Sequence, residues 1–222
     1  LVSVLTILFI KEVCMTAKNS NYIKRVLICL MANILIGITI GAMRVVNLGI
    51  DPFTSLIIGV SNLAKTPFRY IYPIINGVII VLIFFLNKPM IGIGTVINLI
   101  VIGPVADYSA AFIENIYTSP TFISRIIILI AALIIMAMNV SLYTSTNIGV
   151  SAYDSLFLTI NKKNHNISLG VARIITDSIS MIVGIIGKAT IGIGTIINVF
   201  FMGPMVDFFN KSIASKLLKN IC

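Results

Sequence analysis

One stretch of this chain occurs twice, one hundred residues apart. Residues 91–107 read Ile-Gly-Ile-Gly-Thr-Val-Ile-Asn-Leu-Ile-Val-Ile-Gly-Pro-Val-Ala-Asp, and residues 191–207 read Ile-Gly-Ile-Gly-Thr-Ile-Ile-Asn-Val-Phe-Phe-Met-Gly-Pro-Met-Val-Asp. The polar and helix-breaking residues return at every matching place: Gly94/Gly194, Thr95/Thr195, Asn98/Asn198, Gly103/Gly203, Pro104/Pro204 and Asp107/Asp207. Between them apolar residues exchange freely, which composition alone does not produce. The match extends without a gap over residues 21–108 and 121–208, with Arg25 answered by Arg125, Asn47 by Asn147, Gly49 by Gly149 and Ser55 by Ser155. Such a period implies an internal duplication of one structural unit. It divides the chain into an N-terminal segment (1–20), a first repeat (21–120), and a second repeat with a basic tail (121–222).

The repeats are too apolar for a water-soluble protein. Of 222 residues 58% are hydrophobic and only 10% charged, and the mean hydropathy is +1.08; soluble domains carry about 25% charged residues. No run alternates apolar and polar residues as a barrel strand does, and the apolar runs are nearly continuous. The spans are therefore expected to be helices, which satisfy their own backbone hydrogen bonds in lipid. The expected fold is all-α: a polytopic helical membrane protein of two tandem repeats, each with about four hydrophobic segments, in contact with the lipid bilayer. Segments two and six are short or interrupted. Counted from Pro52, the second has about 13 residues before Lys65, short of the roughly 20 needed to cross.

The net charge of +9 does not point to nucleic acid, because the basic residues sit in short loops and at the ends, as in cytoplasmic loops of a multipass protein. If all eight segments cross, thirteen of the sixteen Lys and Arg fall on the side of the termini. If segments two and six are re-entrant, six segments cross, the halves are inverted, and the count is eleven against five. The charge rule favours eight crossings, and the shortness of segments two and six favours six. The sequence reading leans to eight. Both put the termini in the cytoplasm.

Residues 1–10 are apolar but too short to span, and no small-residue cleavage site follows. Met15 is a candidate start, which would leave residues 1–14 outside the protein. Cys14, Cys29 and Cys222 have no metal spacing and read as unpaired thiols. His165 lies in a polar basic loop and reads as solvated. Nothing marks a metal site, a cofactor motif or a nucleophile–base constellation, so no catalytic residue is assigned and enzymatic activity is not expected.

The polar residues inside apolar sequence are the candidate site. Asp51, followed by Pro52, has the signature of a helix N-cap, and Asp154 opens the matching short segment of the second half. Transporters bind substrate where paired helices are interrupted, since helix N-termini and unwound carbonyls offer unsatisfied polar groups there; interfacial N-caps are the bland alternative. Asp177 lies well inside an apolar span, where a carboxylate costs about 2.5–3.5 kcal/mol on insertion scales. Arg173, one turn earlier, is its expected partner. Thr95/Asn98 and Thr195/Asn198 each share a helix face, either hydrogen-bonding one motif copy to the other or lining a polar path. Gly94 and Gly194, and by position Gly103 and Gly203, are read as packing residues. Gly37 and Gly41, four apart, predict close helix contact. Arg44 is expected to snorkel to the interface. Pro104 and Pro204 are expected to kink or end their helices just before Asp107 and Asp207.

With the Gly49-Ile-Asp-Pro52 stretch and the Gly-x-Gly-Thr-x-x-Asn…Gly-Pro…Asp motif in hand, the chain resembles the YczE/YyaS/YitT group of bacterial membrane proteins over nearly its whole length beyond about residue 20. The resemblance implies a multipass, permease-like protein of the bacterial inner membrane with no established substrate. The second half departs from the pattern, with Gly-Val-Ser-Ala at 149–152. The function expected is a small transporter or permease for a small molecule or ion, its site between the repeats and formed by Asp51, Asp154, Asp177, Asn98 and Asn198. The alternative is a non-transporting scaffold or regulatory partner of another membrane protein, and a homo-oligomer fits either.

Overall fold

In the computed structural model, residues 20–118, 121–164, 166–167 and 169–219 are described; what the sequence suggests for residues 1–15, His165 and Cys222 lies outside them. Eight helices carry the fold: α1 Ser20–Val46, α2 Pro52–Ala64, α3 Phe68–Asn87, α4 Ile93–Ile116, α5 Phe122–Ser145, α6 Ala152–Lys163, α7 Leu169–Ile186 and α8 Ile193–Phe209. A π-helical turn, Asn210–Ala214, prolongs α8 into the short α9, Ser215–Lys219. There is no strand among the described residues. Among the described residues, five segments are long and apolar enough to cross a membrane: Tyr22–Val46, Phe68–Met90, Ile93–Ile116, Phe122–Ser145 and Ile193–Leu217.

The helices sort their side chains in the sense lipid demands. Large apolar residues such as Phe85, Phe112, Ile127 and Phe200 face outward, while Asn33, Asn76, Asn98, Asn139, Asn198 and Asp177 are buried. Hydrocarbon tails are as apolar as Leu, so outward apolar residues cost nothing, and polar groups must find one another inside. Close packing on small residues fixes the framework. A Cβ added at Gly41 would lie 2.8 Å from Ala110 N and one at Gly37 2.8 Å from Val105 Cβ, so α1 and α4 touch almost backbone to backbone. A Cβ on Gly59 would lie 2.8 Å from Val183 O, and one on Gly184 3.0 Å from Ser55 O, joining α2 to α7 in the same way.

Contacts at the helix ends fix their directions. Arg44, at the end of α1, pairs with Asp107 of α4 at 2.6 Å, and Asp107 also accepts from Arg69 N at the start of α3 (3.0 Å). Arg125, starting α5, donates to Val46 O (2.6 Å), and Asn62, ending α2, donates to Gly187 O just past α7 (2.8 Å). At the opposite end Asn87 of α3 meets Thr159 and Lys162 of α6, and Asn210 bonds Ser145 at the end of α5. So α1 and α2 finish at the same end of the bundle, and α2 starts inside it. In the same way α5 and α6 both finish at the Asn87 end. At 13 and 12 residues, α2 and α6 are each about 20 Å long against a hydrocarbon thickness of about 30 Å. Two of the eight helices, α2 and α6, are therefore shorter than that thickness, as the sequence suggests for segments two and six.

Three local readings are corrected. Pro104 and Pro204 do not end their helices, for α4 continues to Ile116 and α8 to Phe209. Arg44 does not simply snorkel; besides Asp107 it has the Phe68 ring beneath its guanidinium at 4.8 Å. The two motif copies do not hydrogen-bond to each other through Thr and Asn. Each instead holds the irregular stretch of the other half.

Candidate functional site

Those irregular stretches are built alike. Asn47 (φ 53°) and Asn147 (φ 54°) end α1 and α5 in the left-handed conformation Asn tolerates, and Gly49 (φ +110°) and Gly149 (φ +117°) follow. A side chain at Gly49 would be strained by its φ and would lie 2.8 Å from Gly192 N; one at Gly149 would lie 2.7 Å from Gly92 N. The motif then closes on the loop. Gly94 N donates to Ile148 O (2.8 Å) and Thr95 Oγ1 to Val150 O (2.6 Å). In the other copy Gly194 N donates to Leu48 O (2.9 Å), and Ile50 N donates to Thr195 Oγ1 (3.1 Å). Added Cβ atoms on Gly94 and Gly194 would meet Gly149 O and Gly49 O at 2.7 and 2.6 Å, so both glycines permit the approach. A Cβ added at Gly103 would meet Tyr72 at 3.4 Å, whereas one added at Gly203 would meet nothing within 4 Å.

The loops deliver the starts of α2 and α6 to the interior. Asp51 caps α2, its Oδ1 accepting from Thr54 N (2.9 Å), with Pro52 in the first turn. In the second half Ser151 is the cap, accepting from Asp154 N (3.0 Å). Asp154 is therefore a first-turn residue and not the cap.

Between these starts lies a cavity of about 80 Å³ bordered by Asp51, Asp154, Asp177, Asn98 and Asn198, so the structure brings all five candidate residues to one space. Much of its lining comes in pairs one hundred apart: Ile36/Met136, Ile40/Val140, Phe53/Tyr153, Thr54/Asp154, Asn98/Asn198 and Ile102/Met202. Tyr72, Tyr143, Arg173 and Asp177 break that pairing; their counterparts are Ala172, Met43, Pro73 and Gly77. The shell is paired and most of the ionisable groups are not.

Asp177 is 1% exposed. Its Oδ1 accepts from Tyr153 OH at 2.5 Å, and the Arg173 ion pair read from the sequence is present but long, Nε to Oδ2 at 3.7 Å. Tyr143 OH donates to Asp154 Oδ2. Asn98 is locked in a chain: Tyr72 OH donates to its Oδ1 (3.0 Å), and its Nδ2 donates to Asn33 Oδ1 (2.8 Å). Asn198 has Leu133 where Asn98 has Asn33, and its Nδ2 finds the Met136 thioether at 4.0 Å. Asp51 Oδ2, Asp177 Oδ2 and Arg173 Nε are buried without a hydrogen-bond partner. The tyrosine hydroxyls escaped the sequence reading. Tyr153 stands beside Asp154 in the chain, and Tyr143 ends an apolar run, but neither position shows by spacing alone which carboxylate it would reach.

A second, apolar cleft of about 620 Å³ lies between α2, α3, α6 and α7, bordered by Leu56, Ile79, Leu82, Leu156, Ile179 and Val183 among others. Phe53 and Tyr153 border both spaces.

Apolar crossing helices around a buried polar centre define a membrane-embedded helical protein. The chain belongs to a family of unknown function (DUF6198), which matches residues 23–211. It is 26% identical over 192 residues to an "Uncharacterized protein" of Haemophilus influenzae, covering 86% of this chain and 85% of that one. A comparison with solved structures finds no match.

Proposed function

We propose that this protein is a small transporter or permease of the bacterial inner membrane, with six crossings (the five spans given above and the 18-residue α7) in two inverted repeats and its substrate site in the cavity between them. One observation carries the reading: the half-length helices α2 and α6 enter from opposite ends of the bundle, and both begin at that cavity. Paired discontinuous helices meeting inside the membrane are how many secondary transporters present unsatisfied polar groups to a solute. Lining residues in pairs one hundred apart support the repeats, 21–120 and 121–222. The resemblance to the YczE/YyaS/YitT group adds the permease-like expectation. With six crossings the termini share a side with eleven of the sixteen basic residues, which favours a cytoplasmic location for both. No enzymatic step, cofactor or nucleic acid enters this reading.

The test is solute counterflow into proteoliposomes containing the purified protein, alongside Asp51→Asn, Asp177→Asn and Asn198→Ala. Uptake that depends on these residues supports the reading. Uptake and ligand-induced thermal stabilisation that are unchanged in all three would sink it. Absence of any ligand response, together with stable co-purification of another membrane protein, would favour the scaffold alternative.

A further inference from the structure

We infer that the cavity takes a compact organic monocation, a protonated or methylated amine of a few heavy atoms. The inference rests on the transport reading for its purpose but on the cavity alone for its chemistry.

Charge is the first argument. Asp51, Asp154 and Asp177 bring three negative charges and Arg173 one positive. The starts of α2 and α6 each add about +0.5. With all four side chains ionised the sum is about −1, the deficit one monocation fills. Hydrogen bonding is the second. The hydroxyls of Tyr153 and Tyr143 are already given to Asp177 and Asp154. Two carboxylate oxygens, Asp51 Oδ2 and Asp177 Oδ2, are buried with no hydrogen-bond donor, although Asp177 is 1% exposed. A buried acceptor left in that state costs about 1–3 kcal/mol, more for a charged group, and a ligand N–H would satisfy it.

The third argument is aromatic. Phe53, Tyr72, Tyr143 and Tyr153 border the same space, and ring faces attract ammonium groups. Size limits the guest, since a cavity of about 80 Å³ has room for only a handful of water-sized groups. Among the described residues no group of three His, Cys, Asp or Glu side chains could hold a metal ion. The carboxylates are thus dispersed around a guest, which suits an amine better than a bare divalent ion.

The probes are methylammonium and tetramethylammonium chloride, titrated against the purified full chain while its Tm is followed, with sodium chloride at matched ionic strength, sodium acetate and glycerol in parallel. We expect a saturable Tm rise with an ammonium probe only, an apparent Kd raised at least tenfold by Asp51→Asn, and one raised severalfold by Phe53→Leu. Asp51 is used because Asp177→Asn, although informative, changes a more deeply buried group. Saturable protection by acetate or glycerol overturns the cation assignment and leaves a transport reading standing. So does a Tm that follows pH but none of the probes. Ammonium binding without methylammonium counterflow in proteoliposomes keeps the site and overturns the transport reading instead.

Discussion

Phe53 and Tyr153, one hundred residues apart in the chain, stack with ring centroids 4.5 Å apart and an interplanar angle of 20°. Each is the second residue of its half-length helix, so the stack lies where α2 and α6 begin. Because both rings border the polar cavity and the apolar cleft, they form part of the wall between the two. Phe53 also meets Tyr72 edge-on at 6.0 Å. Removing this ring takes packing from both sides at once. Phe53→Ala is expected to destabilise the detergent-solubilised protein by about 3 kcal/mol, the lower end for a buried Phe. Ile127→Ala, at an outward position 61% exposed, should stay within about 0.5 kcal/mol. Chemical denaturation of the two variants side by side measures the difference; equal losses would show that the stack bears no weight.

The loop glycines give a second contrast. Gly149→Ala imposes a positive φ on a side chain and drives a Cβ to 2.7 Å from the Gly92 backbone. A positive φ alone costs about 1–2 kcal/mol, and the neighbouring backbone cannot yield as a side-chain tip would. We expect Gly149→Ala and Gly49→Ala to lower the yield of folded protein sharply. Gly77, inside α3, has nothing within 4 Å of its absent Cβ. Gly77→Ala should therefore stabilise by about 0.5–1 kcal/mol through helix propensity alone, read as a rise in Tm.

These glycines also mark what could be seen in the chain before its fold. The helical class, the shortness of segments two and six, the Asp51 cap and the Arg173–Asp177 pair all follow from local pattern, because capping, period and i, i+4 spacing are local physics. Direction was not legible. Whether α2 continues through the membrane or turns back depends on Asn62 reaching Gly187 and on Gly59 packing on Val183, contacts more than one hundred residues apart. The charge count favours eight crossings, whereas Lys65 and Arg69 lie at the same end as Arg44, and positive-inside bias is a statistical preference that a few residues can offset. The motif was misread for a similar reason. Thr95 and Thr195 suggested a seam between identical copies, yet each bonds the opposite half's loop, a partner no spacing within one copy reveals.

The direction of α2 makes a topological prediction. In a background with Cys14 and Cys222 changed to Ser, and buried Cys29 retained, Lys65→Cys should react in intact cells with a membrane-impermeant maleimide. Lys163→Cys should react only after the membrane is opened, because α2 and α6 finish at opposite ends of the bundle. Labelling of both from the same side would require eight crossings and overturn the inverted arrangement.

Arg44 and Asp107 are at the surface end of the bundle, with side-chain exposures of 25% and 15%, so their ion pair is partly screened. Asp107 nevertheless has two tasks, accepting from Arg44 and from the first-turn amide Arg69 N. Asp107→Ala should cost about 1–2 kcal/mol, more than an exposed pair alone gives. Arg44→Ala in that background should cost less than in the native protein. A double-mutant cycle by denaturation reads the coupling; strict additivity would mean that the two side chains act independently.

Tyr153 and Asp177 allow the sharpest separation of structure from function. The hydroxyl of Tyr153 supplies Asp177 with a 2.5 Å hydrogen bond and itself accepts from Ser180 Oγ at 3.3 Å. Arg173, at 3.7 Å, is beyond hydrogen-bond reach. Tyr153→Phe keeps the ring, and therefore the stack on Phe53, but leaves a buried carboxylate short of its donor. The expected cost is about 1–3 kcal/mol. Asp177→Asn removes the charge that makes the missing donor expensive, so the double variant should be more stable than the sum of the single losses predicts. If the residues served stability alone, restoring Tm would restore everything. Because Asp177 borders the cavity, we expect the double variant to recover Tm but not ammonium-induced stabilisation. A double variant that regains both would remove Asp177 from the site and leave it a core residue.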